Sequence, residues 1–342
     1  MVMRRTGRNW VAAFAAALIF SMSFLSVVRA QEATPEATPL PYTPGTDLGS
    51  LSGKIVADGS STVGPITIAV AEEFGNQAGG VEVSVDISGT GGGFKRFCAG
   101  ETDIQNASRA IKDEEITLCR DGHVEYFTFE VAYDGITVVV NPENDFVECL
   151  TVDQLKQLWQ PNSTVKTWQD LNPEWPADTI NLYGPGTDSG TFDYFTEQIN
   201  GEEGASRTDY TPSEDDNVLV LGVAGDANGL AYFGYAYYVE NQESLKVVAV
   251  DGGNGCVMPS KDTIRDGTYA PLSRPLSVYV TKESLARPEV QEFMRFYLAN
   301  ARELVDDVGF VDSPGSVYVS DQAKLEGAIA GTAQPDGPGA PS

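Results

Sequence analysis

Short apolar strands alternate with helices in this 342-residue chain, and small polar loops separate them. This pattern of strand, loop and helix occurs three times, and each loop is rich in glycine, serine and threonine. The three units are KIVAD-GSSTVGP-ITIAVAEEF at 54–74, VEVSVDIS-GTGGG-FKRFCAGE at 81–101 and INLYG-PGTDSG-TFDYFTEQI at 180–199. Strands that alternate with helices are typical of parallel sheets covered by helices. The sequence therefore predicts an α/β protein.

The length of the chain favours two domains, because it exceeds the usual size of one hydrophobic core. Two β-rich segments, 131–144 and 269–284, are interpreted as crossings from one domain to the other and back. The first domain is then predicted to consist of residues 51–132 and 277–327, and the second of residues 133–276. Two such crossings between two α/β domains form a hinge.

The first thirty residues are typical of a secretory signal peptide. Arginines precede an apolar run from Trp10 to Val28, and small residues at the end of the run predict cleavage after Ala30. The alternative is an uncleaved membrane anchor, because an apolar run of this length is just sufficient to span a bilayer. No cysteine follows the leader closely, so a lipid anchor is not expected there. We expect export to the periplasm or the cell surface.

Residues 31–50 and 328–342 flank the predicted folded region. The first is rich in Pro, Thr and Glu and the second in Gly, Pro and Ala, so both are predicted to be disordered, one as a linker and one as a tail. The chain is predicted to be a monomer.

The charge of the chain excludes some partners. Its formal net charge is -27, and without the four leader arginines 18 basic residues face 49 acidic ones, a charge near -31. Such a surface repels nucleic acids and anionic lipids. An anionic ligand would need local dipoles and cations to overcome this field.

The four cysteines, an even number in a chain predicted to be exported, indicate two disulfides. Three pairings are possible, and the sequence alone does not decide among them. Cys98 with Cys119 and Cys149 with Cys256 is the favoured pairing, since the first two are close in sequence. A zinc site is disfavoured because no C-x-x-C pair is present.

Three loops combine hydroxyl groups and glycines immediately before a predicted helix. They are Ser60 to Thr62, Ser88 to Gly93 and Ser189 to Thr191, and Ser108 with Arg109 follows a fourth short strand. Helix N-termini present free N–H groups and a positive dipole, and the carboxyl ends of neighbouring strands meet at one edge of a sheet. Taken together, the loops predict an oxyanion receptor. The alternatives are ordinary helix caps for the loops and a structural salt bridge for Arg109.

Enzyme chemistry has little support. The only histidine, His123, lies in a predicted surface turn, so a serine–histidine–acid triad is not expected. GTGGG lacks the Lys-Ser/Thr ending of a P-loop, and Asp215 with Asp216 is too small a set for a metal cage. No catalytic residue, metal or cofactor is predicted.

At the same loops the chain resembles the phosphate-binding proteins of ABC transporters, over about Gly53 to Ala323. The motifs DGSSTVGP, SGTGGGFKRF, DIQNASRAI and GPGTDSGTFDYF occur in family order and at family-like spacing. The resemblance is to a branch with a NASR-type loop. It implies a two-domain, type II periplasmic-binding-protein fold that closes like a Venus flytrap on dehydrated phosphate, which is then delivered to the permease.

The resemblance also implies a set of phosphate-binding residues. A hydroxyl and an amide of the first loop fall on Ser61 and Thr62, and a hydroxyl of the second falls on Thr90, beside Gly91. The third loop supplies Ser189, Gly190 and Thr191.

Two positions depart from the family pattern. Arg109 stands where well-known members have aspartate, and Pro185 where they have arginine. We hypothesise that Arg109, next to Ser108, replaces the missing cation. Asp58 and Asp188 are the candidates for the missing proton acceptor.

Three other functions remain open at this point. A receptor for sulfate, arsenate or molybdate would use the same donors, and a phosphate sensor or scavenger would have the same pocket without a permease. A secreted phosphatase is the least favoured.

Overall fold

A computed structural model describes residues 37–337 of the chain. The predicted signal peptide and parts of the predicted linker and tail lie outside the described residues. The strands are β1 Gly53–Gly59, β2 Val81–Val85, β3 Ile104–Ala107, β4 Tyr126–Val140, β5 Cys149–Thr151, β6 Asn181–Pro185, β7 Thr211–Ser213, β8 Gly229–Gly234, β9 Lys246–Asp251, β10 Cys256–Val257, β11 Ser273–Thr281 and β12 Val311–Asp312. The helices are α1 Gly64–Gly75, α2 Gly89–Cys98, α3 Asp113–Asp121, α4 Val152–Trp159, α5 Trp168–Leu171, α6 Gly190–Phe195, α7 Asp216–Ala224, α8 Tyr235–Glu240, α9 Lys261–Arg265, α10 Pro288–Asp307 and α11 Gly315–Ile329.

The three predicted strand–loop–helix units are confirmed as β1–α1, β2–α2 and β6–α6. Strands β1, β2 and β3 pair in parallel, as do β6, β7 and β8. The main path of the sheet runs β2-β1-β3-β11-β4-β8-β6-β7. The carboxyl ends of β1, β2 and β3 therefore lie at one edge, and those of β6, β7 and β8 at another.

A first hydrophobic core lies between β1–β3 and the helices α1, α10 and α11. Phe74 of α1 is fully buried, and its ring lies 5.5 Å from those of Phe293 and Phe296 in α10. Burial of one such side chain stabilises the fold by about 1.5–3 kcal/mol. We call β1–β3, α1–α3, α10 and α11 the first lobe.

A second core lies among β5, β6, β8, β9 and the helices α4 to α6. Phe195 of α6 stacks on Tyr232 of β8 with ring centroids 3.7 Å apart, and Trp159 of α4 packs edge-on against both rings. These contacts anchor α6, and with it the loop that precedes α6. We call β5–β10 and α4–α9 the second lobe.

Two antiparallel strands connect the lobes. Strand β4 pairs with β11 over Tyr126 to Gly135, and its last residues, Ile136 to Val140, pair with β8 and β9. Strand β11 begins beside Gly135 and returns the chain to the first lobe. The predicted α/β class with two crossings is confirmed.

Both favoured disulfides are present. Cys98 at the end of α2 is bonded to Cys119 in α3, and Cys149 of β5 is bonded to Cys256 of β10. The second encloses a loop of about 107 residues, so it constrains the unfolded chain more than the first does in the chain-entropy model.

Parts of the predicted linker and tail contact α10 of the first lobe and strand β4. The Gly45 N–H donates to the buried Glu292 of α10 at 3.0 Å, and Tyr42 packs against Phe296. At the other end, Asp336 accepts a hydrogen bond from the Thr128 N–H at 2.8 Å. No helix within residues 37–337 has the length and apolar character needed to cross a membrane.

Candidate anion-binding site

The first candidate loop follows β1. Gly59 has φ 133°, and an added Cβ would lie 2.2 Å from the Asn106 carbonyl oxygen, so only glycine permits this close approach of β1 and β3. The Ser60 hydroxyl accepts from the Thr62 N–H at 3.1 Å. This hydrogen bond lies within the loop that precedes α1, and Ser60, Ser61 and Thr62 all line the space between the lobes.

The second loop and the NASR segment are joined to each other. The hydroxyl groups of Thr90 and Ser108 are 3.1 Å apart, and the Ser108 N–H donates to Thr90 Oγ1 at 3.3 Å. Ser88 instead donates to Asp58 Oδ2 at 2.8 Å, next to the start of α2 at Gly89. Two hydroxyl groups from different strand ends therefore lie side by side.

The third loop brings the second lobe against the first. Ser189 caps α6 by accepting from the Thr191 N–H at 3.2 Å. A Cβ on Gly190 would lie 2.5 Å from Thr62 Oγ1 and 2.7 Å from Ser61 Oγ. The two loops are in contact, so the structure represents a closed arrangement of the lobes.

A cavity of about 270 Å³ lies where these loops meet. Seven of the nine predicted binding residues line it: Ser61, Thr62, Thr90, Gly91, Ser108, Arg109 and Gly190. The other two, Ser189 and Thr191, flank Gly190 without lining the cavity.

Arg274, at the start of β11, also lines the cavity and was missed by sequence reasoning. Its guanidinium pairs with Asp134 Oδ2 at 3.0 Å and donates to Thr62 Oγ1 at 3.1 Å and to the Gly190 carbonyl at 3.4 Å. It stacks on the Tyr194 ring at 3.8 Å. A single buried cation therefore contacts the loops of both lobes.

The sequence carried one signal for this residue. Arg274 is the only cation in YAPLSRPLSVYV, which lies in the predicted return crossing. A charge in a largely apolar strand is costly to bury without a partner, and its partner Asp134 lies in the other crossing strand. Sequence reasoning identified both crossings but did not pair their charges.

Arg109 lines the cavity and is also in a salt bridge. Its two terminal nitrogens donate to the two carboxylate oxygens of Glu115, each at 2.8 Å. These hydrogen bonds raise the pKa of Arg109. The guanidinium thus has the ion-pair partner that the alternative interpretation required, while it remains at the edge of the cavity.

Neither candidate acceptor lines the cavity. Asp58 is fully buried and its carboxylate is occupied by Arg96 at 2.7 Å and Ser88 at 2.8 Å. This network ties the first loop to the second. Asp188 is exposed, and its N–H faces Glu214.

The charges around the cavity are mixed. Four cations line it, namely Lys95, Arg109, Lys112 and Arg274, together with three carboxylates, namely Asp193, Glu197 and Glu203. The local formal charge is about +1, against -27 for the chain. The N-termini of α1 and α2 add positive dipoles, so an anion meets a favourable field here despite the acidic surface.

A two-lobed α/β fold that encloses such donors between its lobes defines a solute-binding protein for an oxyanion. Residues 36–301 match the family model described as a PBP superfamily domain. The chain is 49% identical over 270 residues to Protein SphX of Synechocystis sp., covering 78% of this chain and 80% of the relative. It is 42% identical to the phosphate-binding protein PstS of Staphylococcus saprophyticus, covering 83% and 88%.

Solved structures that are similar to this chain are also described as phosphate-binding proteins or receptors. A possible phosphate binding protein from Planctomyces limnophilus has a TM-score of 0.78 and 48% identity, over 82% of this chain and 99% of that one. An ABC-type phosphate transport receptor from Vibrio cholerae, at 22% identity and a TM-score of 0.62 over 75% and 99%, shares the fold. The chain belongs to the PBP superfamily and, within it, to the SphX and PstS family of phosphate-binding proteins. The predicted resemblance is confirmed, as is the prediction of a binding protein rather than an enzyme.

Proposed function

We propose that the chain captures inorganic phosphate in the cavity between its lobes and delivers it to an ABC transporter. The observation that carries the proposal is the convergence of seven predicted donor-loop residues and Arg274 on one small cavity. Membership of a family whose relatives are named phosphate-binding proteins supports phosphate as the ligand.

The proposed ligand set is that of the sequence analysis with Arg274 added: Ser61, Thr62, Thr90, Gly91, Ser108, Arg109, Ser189, Gly190, Thr191 and Arg274. Hydroxyl groups and helix N-termini donate hydrogen bonds, and the guanidinium groups add charge-assisted ones. A hydrogen bond to a charged group contributes about 1.5–3 kcal/mol, roughly twice a neutral one. Several such bonds suffice to replace the hydration shell of the anion.

Closure of the lobes is the proposed capture step. Ser61 and Thr62 approach Gly190 only when the lobes are together, so contacts that bridge the ligand exist in the closed form alone. A ligand shifts such an equilibrium only through its higher affinity for one state. Phosphate bound by both loops therefore stabilises the closed form that the transporter would recognise.

The domain bounds, the export of the protein, its oligomeric state and its permease partner belong to the same proposal. The hinged domains are residues 51–132 with 277–327 and residues 133–276, a division supported by the separate cores. We propose that the protein is exported, acts as a monomer and meets a permease at the membrane. Co-purification with neighbouring transporter subunits would separate transport from sensing or scavenging.

Calorimetric titration of the purified protein, freed of bound anion by reversible unfolding, tests the ligand. We expect tight one-to-one binding of phosphate and much weaker binding of sulfate. Equal affinities would indicate a general oxyanion receptor, and absence of binding to both would contradict the proposal. Turnover of a chromogenic phosphate ester would instead indicate a phosphatase.

A further inference from the structure

Asp193 is a carboxyl group of α6 that lines the cavity beside the donor loop of the second lobe. It lies three residues after Gly190 in the first turn of α6, where its N–H donates to the Ser189 carbonyl at 3.1 Å. Residues at this spacing share one face of a helix. Both Asp193 and Gly190 line the cavity.

The Asp193 carboxylate is a free acceptor. Within residues 37–337 no donor lies within hydrogen-bond distance of it, and it forms no ion pair there. Several other charged cavity groups have partners: Arg274 has Asp134, Arg109 has Glu115, and Lys112 lies 4.0 Å from Glu197. An acceptor without a protein donor, at the wall of a cavity that also presents hydroxyl groups and four cations, is suited to a ligand that carries a hydrogen.

Charged groups surround Asp193 on every side. Glu197 follows on the same helical segment, Glu203 lies in the next loop and Asp188 in the preceding loop, while Arg274 approaches from β11. Lys95, Arg109 and Lys112 line the cavity from the first lobe. Partial burial and then the three acidic neighbours raise the pKa of Asp193 to about 6, and Arg274 opposes the shift.

We propose that Asp193 is the specificity-determining residue of this site, because it accepts the hydrogen of a protonated oxyanion and disfavours a fully deprotonated one. The inference depends on the proposed function, since it concerns the same cavity. Phosphate keeps a hydrogen at neutral pH and shares it with the carboxylate. Sulfate has none, so its binding requires that Asp193 take up a proton.

Asp193 is better placed to accept a hydrogen bond from the ligand than the two carboxylates that the sequence analysis proposed. Asp58 Oδ2 already accepts from Arg96 and Ser88 and its Oδ1 from the Gly59 N–H, and Asp188 is exposed. Asp134 is occupied by Arg274. Glu203 is exposed, so water competes for it.

The test compares phosphate and sulfate affinities of the wild-type protein and of Asp193→Asn between pH 5.5 and 8. For the wild type, the sulfate affinity should fall about tenfold for each pH unit above 6, because one proton is taken up on binding. At pH 8, about two units above the pKa of Asp193, Asp193→Asn should bind sulfate up to a hundredfold more tightly. Its preference for phosphate should fall at least tenfold.

Asp188→Asn is the matched control, because it removes a neighbouring charge outside the cavity. An equal loss of selectivity in this variant would overturn the proposal, as would unchanged selectivity in Asp193→Asn. Absence of phosphate binding by the wild type would refute the proposed function itself, and this inference with it.

A second measurement needs no variant. Calorimetry of the wild type at pH 7.5 in buffers of different ionisation enthalpy should give uptake of close to one proton with sulfate and less with phosphate. Sulfate binding without proton uptake, or no sulfate binding at pH 5.5, would contradict the role of Asp193.

Discussion

The pair of Arg274 and Asp134 connects the hinge to the cavity at the scale of single residues. Arg274 is 9% exposed and Asp134 is 3% exposed. Each charge needs the other, because the loss of one partner of a buried ion pair costs about 3–5 kcal/mol. Arg274 of β11 is the register partner of Asp134 of β4, so the pair lies where the two crossing strands run side by side.

The Arg274→Met variant should lose both stability and ligand affinity. It leaves Asp134 buried without its partner, and it removes a charge-assisted donor from the cavity. We expect the phosphate affinity to fall about tenfold to a hundredfold, from the loss of about 1.5–3 kcal/mol. Titration calorimetry and thermal unfolding without phosphate measure the two effects.

A double variant, Arg274→Met with Asp134→Asn, separates these effects. Removal of the orphaned charge should restore much of the unfolding temperature while the affinity stays low. Recovery of phosphate affinity in the double variant would show that Arg274 acts on the fold and not on the ligand.

At the scale of elements, the N-terminus of α6 forms the contact between the second lobe and the first loop. Its position follows from the stacking of Phe195 on Tyr232, which fixes the helix to the second core. Gly190 then meets the first loop with no space for a side chain. Helix α6 is therefore packed into the core of its own lobe and, at Gly190, against the first loop of the other lobe.

Gly190→Ala should therefore weaken capture without weakening the fold. A methyl group would overlap Thr62 and Ser61 in the closed form alone, and overpacking of this kind costs about 1–3 kcal/mol. We expect a loss of phosphate affinity of about fivefold to a hundredfold.

The unfolding temperature without phosphate should stay close to that of the wild type. Gly75→Ala is the control, because a Cβ there meets nothing within 4 Å. An affinity equal to that of the wild type in Gly190→Ala would mean that the ligand does not need this contact between the loops.

At the scale of the whole molecule, buried acidic groups make the stability of the fold depend on pH. Burial, the largest cause in each case, raises the pKa of Asp193, Asp216 and Asp321 to about 6. The folded state binds these protons more tightly than the unfolded state does, since an ordinary aspartate has a pKa near 3.9. Their stabilising contribution is complete below about pH 4 and is lost as the pH rises through 6.

We expect the unfolding temperature to be higher at pH 5 than at pH 7.5. Asp209, whose pKa is lowered chiefly by hydrogen bonds from Arg207, titrates well below this range and does not reverse the trend. Asp321→Asn, remote from the cavity, should reduce the difference, because Asp321 is buried in the first lobe. A higher unfolding temperature at pH 7.5 than at pH 5 would contradict a stabilising role of these protonated aspartates.

Much of this protein could be predicted from local sequence. The three strand–loop–helix units are encoded by residues that are adjacent in the chain, since hydrophobic periodicity and small turn residues act over short distances. The donor loops were found for the same reason, because a Ser or Thr before a helix is recognisable without its neighbours. The motifs at these loops also occur in the same order along the chain as in the phosphate-binding family.

The charges of the cavity could not be assigned in the same way. Arg274 lies 84 positions from Gly190 and 212 from Thr62, so no local pattern links them. Asp193 reads as an ordinary polar position in the first turn of α6, and Asp58 and Asp188 were favoured because they lie inside loops. The sequence by itself determined the elements and the donor loops, which depend on short-range preferences. Only the tertiary structure decided which charges face the ligand, because burial and ion pairing depend on how distant strands pack together.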